Sequence, residues 1–186
     1  MIEIVPSRES WTAEFAIIGG RLREALGNRA LAIHHIGSTS VPGLAAKDVI
    51  DIQVTVASLD EGLKEDLARG DFELRFEGVD HCPPGMTLPD EELKKWFVRT
   101  SGRRVHIHMR AEGRFNQRYP LLCRDYLRSH RSAADAYCEI KLQLARYFPD
   151  NTDAYYDIKD PVFDVLMTGA YEWANATGWE QPASDA

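Results

Sequence analysis

Disulfide frameworks, membrane spans and the common nucleotide-binding fingerprints are all missing from this sequence. Its three cysteines, Cys82, Cys123 and Cys138, are an odd count with no C-x-x-C spacing. That excludes a disulfide scaffold and a zinc knuckle and fits reduced thiols in a cytoplasmic protein. No stretch approaches the roughly 20 apolar residues that a membrane helix requires. The first ten residues, MIEIVPSRES, carry Glu3 and no apolar core, so no secretory leader is expected there. The spacings of a P-loop, of a dinucleotide-binding Gly-rich turn and of a nucleophile elbow are all absent. So are repeats and low-complexity tracts. What remains is 186 residues, 44% apolar and 27% charged, with a net charge of -7. Such a chain can bury roughly 70% of its unfolded surface in one core. One domain over 1–179 is expected, with a frayed tail over 180–186.

The charge is uneven. Between Arg99 and Arg131 stand nine arginines, no lysine and only Glu112 and Asp125, a local balance of +7. Guanidinium forks grip phosphate or carboxylate in two places. The stretch is therefore either an anion site or a face ion-paired to the acidic remainder. The overall acidity makes a nucleic-acid partner unlikely.

Spacing predicts a helix from Ser7 or Ser10 to Leu26, with Gly19-Gly20 as a weak point. A strand over 30–36 follows, then the turn-rich GSTSVPGLAAK. Residues 48–56 alternate as a strand, with Ile50, Ile52, Val54 and Val56 on one face and Asp51, Gln53 and Thr55 on the other. A helix over 58–70 with a Ser cap, a strand over 72–76 and a Pro-rich loop over 78–89 come next. Strands over 94–100 and 103–111 join at Ser101-Gly102. Helices are expected over 116–129, 132–148, 152–159 and 161–177, with Pro161 starting the last. The fold class is α+β: a mixed or antiparallel five-stranded sheet with helices on its apolar face.

The strand over 103–111 carries the chemistry. Val105, Ile107 and Met109 form its apolar face; Arg104, His106, His108 and Arg110 form the other. Neighbours on one strand face lie about 6.5–7 Å apart, so both imidazoles can reach one metal ion or one phosphate. Asp51 and Gln53 can share that face. The turn before Asp51 offers Gly37, Ser38, Thr39 and Lys47 as amides, hydroxyls and an ammonium for an anion. Arg124 and Arg128 are i, i+4 neighbours on one predicted helix. Lys141 sits inside an apolar helical pattern, where it either snorkels or approaches the anion. Lys159 has a weaker claim of the same kind.

The runs HHIGSTSVPGLAAKDVIDIQV, VHIHMR and CRDYLRSH…AYCEIKLQLA resemble the GrpB family over nearly the whole chain. That resemblance implies a nucleotidyltransferase-like fold, and a similar domain is known fused to dephospho-CoA kinase. It implies that Gly37 and Ser38 match the superfamily's Gly-Ser pair and Asp51 its first metal carboxylate. The second carboxylate position holds Gln53, and the later one is taken by His106 or His108. One carboxylate and two imidazoles cannot neutralise two Mg²⁺ ions about 4 Å apart. They suit one softer divalent ion. Three readings stay open. The first is a nucleotidyl or phosphoryl transferase with Asp51, His106 and His108 as catalytic and metal-binding residues. The second is a non-catalytic module for a nucleotide or phosphorylated metabolite. The third is a single-metal His/Asp hydrolase. A fourth, a plain interaction domain, uses none of these residues.

Overall fold

A computed structural model describes residues 1–186. The helix α1, Ser10–Leu26, runs unbroken through Gly19-Gly20 and buries Trp11, Phe15, Ile18, Leu22 and Leu26. These recur every three to four residues, so one stripe faces inward. The strands are β1 (Ala30–Ile36), β2 (Ile50–Val56), β3 (Phe72–Val79), β4 (Lys94–Thr100) and β5 (Val105–Ala111). Between them lie α2 (Glu61–Arg69) and the single turn α3 (Asp90–Leu93). The chain ends in α4 (Phe115–Ser129), α5 (Arg131–Tyr147) and α6 (Thr152–Thr177). Asp60 rather than Ser58 caps α2, its carboxylate accepting from the Leu63 N–H at 3.0 Å.

The sheet order is β1-β2-β5-β4-β3. All neighbours are antiparallel except β2 and β5, which are parallel. This is the expected mixed five-stranded α+β sheet. Its apolar face, with Ile50, Ile52, Val54, Ile107 and Met109, packs under α1 and α2 in one buried cluster. Helices were expected on that face alone. In addition, α4 leans on the opposite face, where Gln117 meets Gln53 and Thr55. Polar side chains project there, and the helix brings polar partners for them. A second apolar cluster joins α4, α5 and α6 to Val41 and Leu44. The three C-terminal helices therefore form a wall beside the polar face.

Two further expectations fail. Pro161 does not begin a helix: it lies inside α6. A proline removes one N–H from the ladder, and in a helix of 26 residues the rest of the ladder carries on past it. The tail does not fray either. Asp185 N–H donates to Ile33 O, and the Ile33 N–H donates to Ser184 Oγ. Asp185 Oδ2 accepts from the His35 N–H and from Arg124. β1 is an edge strand, and its unpaired backbone groups take the tail as partner. Gly19 makes room: a Cβ there would lie 2.8 Å from the Ala186 Cβ.

Candidate functional site

Parallel pairing sets Asp51 opposite His106, Gln53 opposite His108 and Thr55 opposite Arg110. The period-2 alternation of both strands then puts all six side chains on the polar face. Asp51 Oδ1 lies 3.2 Å from His106 Nδ1 and 3.9 Å from His108 Nε2. One ligand atom from each of the three falls within 4.8 Å of the others. Phe97 on β4 packs against both imidazoles, with ring centroids at 5.2 and 5.5 Å, and holds them side by side. Burial pushes the Asp51 carboxyl up, but hydrogen bonds from His106 and His108 outweigh it and hold it well below the usual carboxylate range. Burial pulls the His108 imidazole down, against its bond to Asp51.

Gly37 shapes the turn above Asp51. Its backbone has φ 69° and ψ -172°, a region open to glycine. A Cβ there would stand 2.5 Å from Asp51 Oδ2. The chain then enters a short 3-10 turn, Ser38–Ser40. Thr39 Oγ1 is spent inside the protein, on His35 and on Val49 O. Ser38 lines the cavity, and its Oγ accepts from Lys141 Nζ at 3.0 Å.

These residues line a cavity of about 450 Å³ between the polar face, the Gly37–Val49 turn and the C-terminal helices. Of the residues singled out from sequence, Gly37, Ser38, Thr39, Lys47, Asp51, His106, His108, Arg110, Arg124 and Lys141 reach it. Three do not. Gln53 is fully buried, donating to Gln117 O at 2.8 Å and accepting from Arg110 at 2.9 Å. Arg104 is exposed outside the cavity. Arg128 donates twice to Ser40 O and holds the turn from behind.

The arginine stretch is largely spent on internal partners rather than left free for a ligand. Arg110 grips Asp80 with a fork at 2.9 and 3.2 Å, and Lys95 adds a second cation. Burial raises the Asp80 carboxyl, and Arg110 and Lys95 more than reverse it. Arg124 bonds His35 O, Asp125 and Asp185. Arg103 pairs with Glu14 and Asp48, Arg114 with Glu91 and Glu92, and Arg131 with Asp135. The ion-pair alternative wins for these.

Cavity residues that the sequence did not single out are mostly aromatic. Tyr137, Tyr155, Tyr156 and Phe163 stand around Lys47, Lys141 and Lys159, each ammonium 4.1–5.2 Å from a ring centroid. Lys159 has Asp160 at 2.7 Å. Lys47 and Lys141 have no carboxylate at ion-pair distance; Lys47 meets the Tyr156 hydroxyl at 2.5 Å. The adjacent Tyr155-Tyr156 pair was the one available signal, since one member of a helical pair faces outward unless something covers it. From the Pro-rich loop, Asp80, His81 and Pro83 reach the cavity, and His81 Nε2 lies 3.3 Å from Asp164 Oδ1 on α6.

Known proteins resemble this chain. A dephospho-CoA kinase of Mycolicibacterium paratuberculosis is 34% identical over 201 residues, covering 96% of this chain and 48% of its own. The protein YqkA of Bacillus subtilis is 32% identical, covering 92% of this chain and 48% of its own. The chain thus spans about half the length of these curated relatives. The crystal structure of the conserved protein GrpB from Enterococcus faecalis superposes with a TM-score of 0.73 at 26% identity, over 92% of this chain and 98% of that one. A chain of the GLD-2/RNP-8 complex has the same fold at 10% identity, with a TM-score of 0.52 over 98% of this chain and 64% of its own. No helix is long and apolar enough to cross a membrane. The GrpB protein model matches residues 1–168, and the chain belongs to the GrpB family.

Proposed function

We propose that the cavity binds a nucleotide or a phosphorylated metabolite by its phosphates, in the cytoplasm, and that it transfers a nucleotidyl or phosphoryl group. One observation carries the reading: the Lys47 ammonium faces the cavity with no carboxylate partner. Lys47 is half-buried, and an ammonium withdrawn from water is costly unless a charge of opposite sign meets it. A phosphate supplies that charge. The volume suits a ligand of nucleotide size. Tyr156 and Phe163 stand half-buried on the cavity wall, where an aromatic base can pack. The name of the Mycolicibacterium paratuberculosis relative, dephospho-CoA kinase, supports a phosphorylated metabolite.

Asp51, His106 and His108 fit one borderline divalent ion such as Zn²⁺ or Mn²⁺, because their donor set is one carboxylate and two imidazoles. Such an ion supplies Lewis-acid polarisation of a phosphoryl oxygen. Gln53 cannot add a second carboxylate, being locked between Arg110 and Gln117. That favours the second reading, a module that binds the same ligand without turnover.

Thermal shift tests binding. The chain is heated with nucleoside triphosphates, coenzyme A precursors and inorganic phosphate, each with and without Mn²⁺. A ligand at 100 times its dissociation constant adds about 2.7 kcal/mol and raises the midpoint by several degrees. The shift is expected to vanish in Lys47→Ala and to lose its Mn²⁺ dependence in Asp51→Ala. Absence of any shift sinks the reading. A bound nucleotide recovered unchanged after prolonged incubation decides for the non-catalytic module.

A further inference from the structure

Ser38, Lys141 and Tyr137 form a group that phosphate binding alone does not explain. Lys141 is 2% exposed and sits on α5. Its Nζ contacts Ser38 Oγ at 3.0 Å and Ala45 O at 2.5 Å. The Tyr137 hydroxyl stands beside the same Ser38 side chain, and the Tyr137 ring centroid lies 4.7 Å from Lys141 Nζ. A lysine held only as a staple for Ala45 O could be any neutral donor, without the cost of burying a charge. Placed against a hydroxyl that opens on the cavity, the amine has a second use: it can take that hydroxyl's proton.

We propose that Ser38 is a nucleophile, that Lys141 is its general base, and that its electrophile is the phosphorus of an anionic phosphate ester or anhydride. The nucleophile follows from the local geometry; the substrate class rests on the proposed function. In the step, Ser38 Oγ forms a bond to phosphorus while the bond from phosphorus to the leaving oxygen breaks. The electron pair of that bond stays on the leaving oxygen. The Ser38 proton passes to Lys141 Nζ and from there to the leaving oxygen. Lys47 and Lys159 stand by to balance charge on the phosphoryl oxygens. Burial pulls the Lys141 ammonium down to about 8, and Lys159 and Lys47 pull the same way against Cys138 and Asp51. A usable fraction is therefore the free amine at neutral pH.

A fluorophosphonate ester tests the nucleophile without any nucleotide. Attack forms the bond from Ser38 Oγ to phosphorus, expels fluoride with its electron pair, and leaves the proton on Lys141. Peptide mass spectrometry of the whole chain is expected to find the adduct on Ser38. It should be absent in Ser38→Ala and form at least about 100-fold more slowly in Lys141→Met. Both variants are checked for an intact thermal transition. If Lys141→Met does not fold, the pH profile of the native chain decides: the rate should rise with pH up to about 8 and then level. The groups facing Lys141 are Tyr137, Cys138, Lys47, Lys159 and Asp51. An unlabelled Ser38, an unchanged rate in a folded Lys141→Met, or a flat profile each overturns the nucleophile, whatever nucleotide binds. Labelling that no nucleotide or phosphorylated metabolite slows overturns the substrate class and leaves the nucleophile standing.

Discussion

Two residues at the site have roles that follow from their bare geometry. Gly37 holds φ 69° with Asp51 pressed against the place a Cβ would occupy. Gly37→Ala therefore strains the backbone by about 1–3 kcal/mol and pushes the Asp51 carboxylate off His106. Urea denaturation should show the lost stability, and the Mn²⁺-dependent part of any ligand shift should fall with it. Asp80 is the counter-ion of Arg110, a guanidinium only 5% exposed, and of Lys95. Asp80→Ala strands both cations and should cost about 3–5 kcal/mol. Denaturation of that variant against Asp80→Asn, which keeps one acceptor, checks the assignment. Asp51, His106 and His108 were legible in the sequence because strand alternation alone sorts side chains onto faces. Asp80 was not. Its importance comes from two cations that reach it from two other strands, Lys95 on β4 and Arg110 on β5, and no local pattern encodes that meeting.

At the scale of elements, β5 separates fold from chemistry. Ile107 and Met109 point into the apolar cluster with no exposed surface, while His106 and His108 point into the cavity. Ile107→Ala should cost about 2–5 kcal/mol and leave the distances around Asp51 intact. The expected signature is a lower urea midpoint with an unchanged response to ligand at low temperature. The bounds of α1, β1, β4 and α5 lie close to the sequence expectation because their periodicities are uninterrupted. Errors fell where a strong local signal met a stronger tertiary one. Pro161 reads as a helix start, but α6 is packed on α4 and α5 through Met167, Ala170 and Ala174 and continues through it. Ser58 reads as a cap; its hydroxyl donates to Asp60 instead, and Asp60 caps α2. The tail reads as frayed because it is polar and short. It is docked because β1 has a free edge and Arg124 offers Asp185 a fixed cation.

For the whole molecule, the buried histidines set the response to acid. Burial pulls the His35 imidazole down to about 4, with Arg128 adding to the effect, and burial lowers His34 as well. The unfolded chain binds a proton at His35 near pH 6.5, where the folded one does not. The stability His35 contributes is thus complete above about pH 6.5 and is lost as pH falls toward 4, on the order of 3 kcal/mol in all. Urea midpoints at pH 7.5 and pH 5 should show that fall, and His35→Gln should flatten part of it. An equal fall in the variant would remove His35 as the cause. The sequence by itself determined most of the elements, the two faces of β2 and β5, and the placing of Asp51, His106 and His108 on one face, since all of these follow from periods of 3.6 and 2 along the chain. It also held the family resemblance, which depends on residues in order. Only the tertiary structure decided that the arginines are mostly spent on internal partners, that Gln53 is locked away and that Lys47 and Lys141 stand unpaired in a tyrosine-lined cavity. Those outcomes depend on which charges meet across elements distant in sequence, and pairing of that kind is settled by packing rather than by local order.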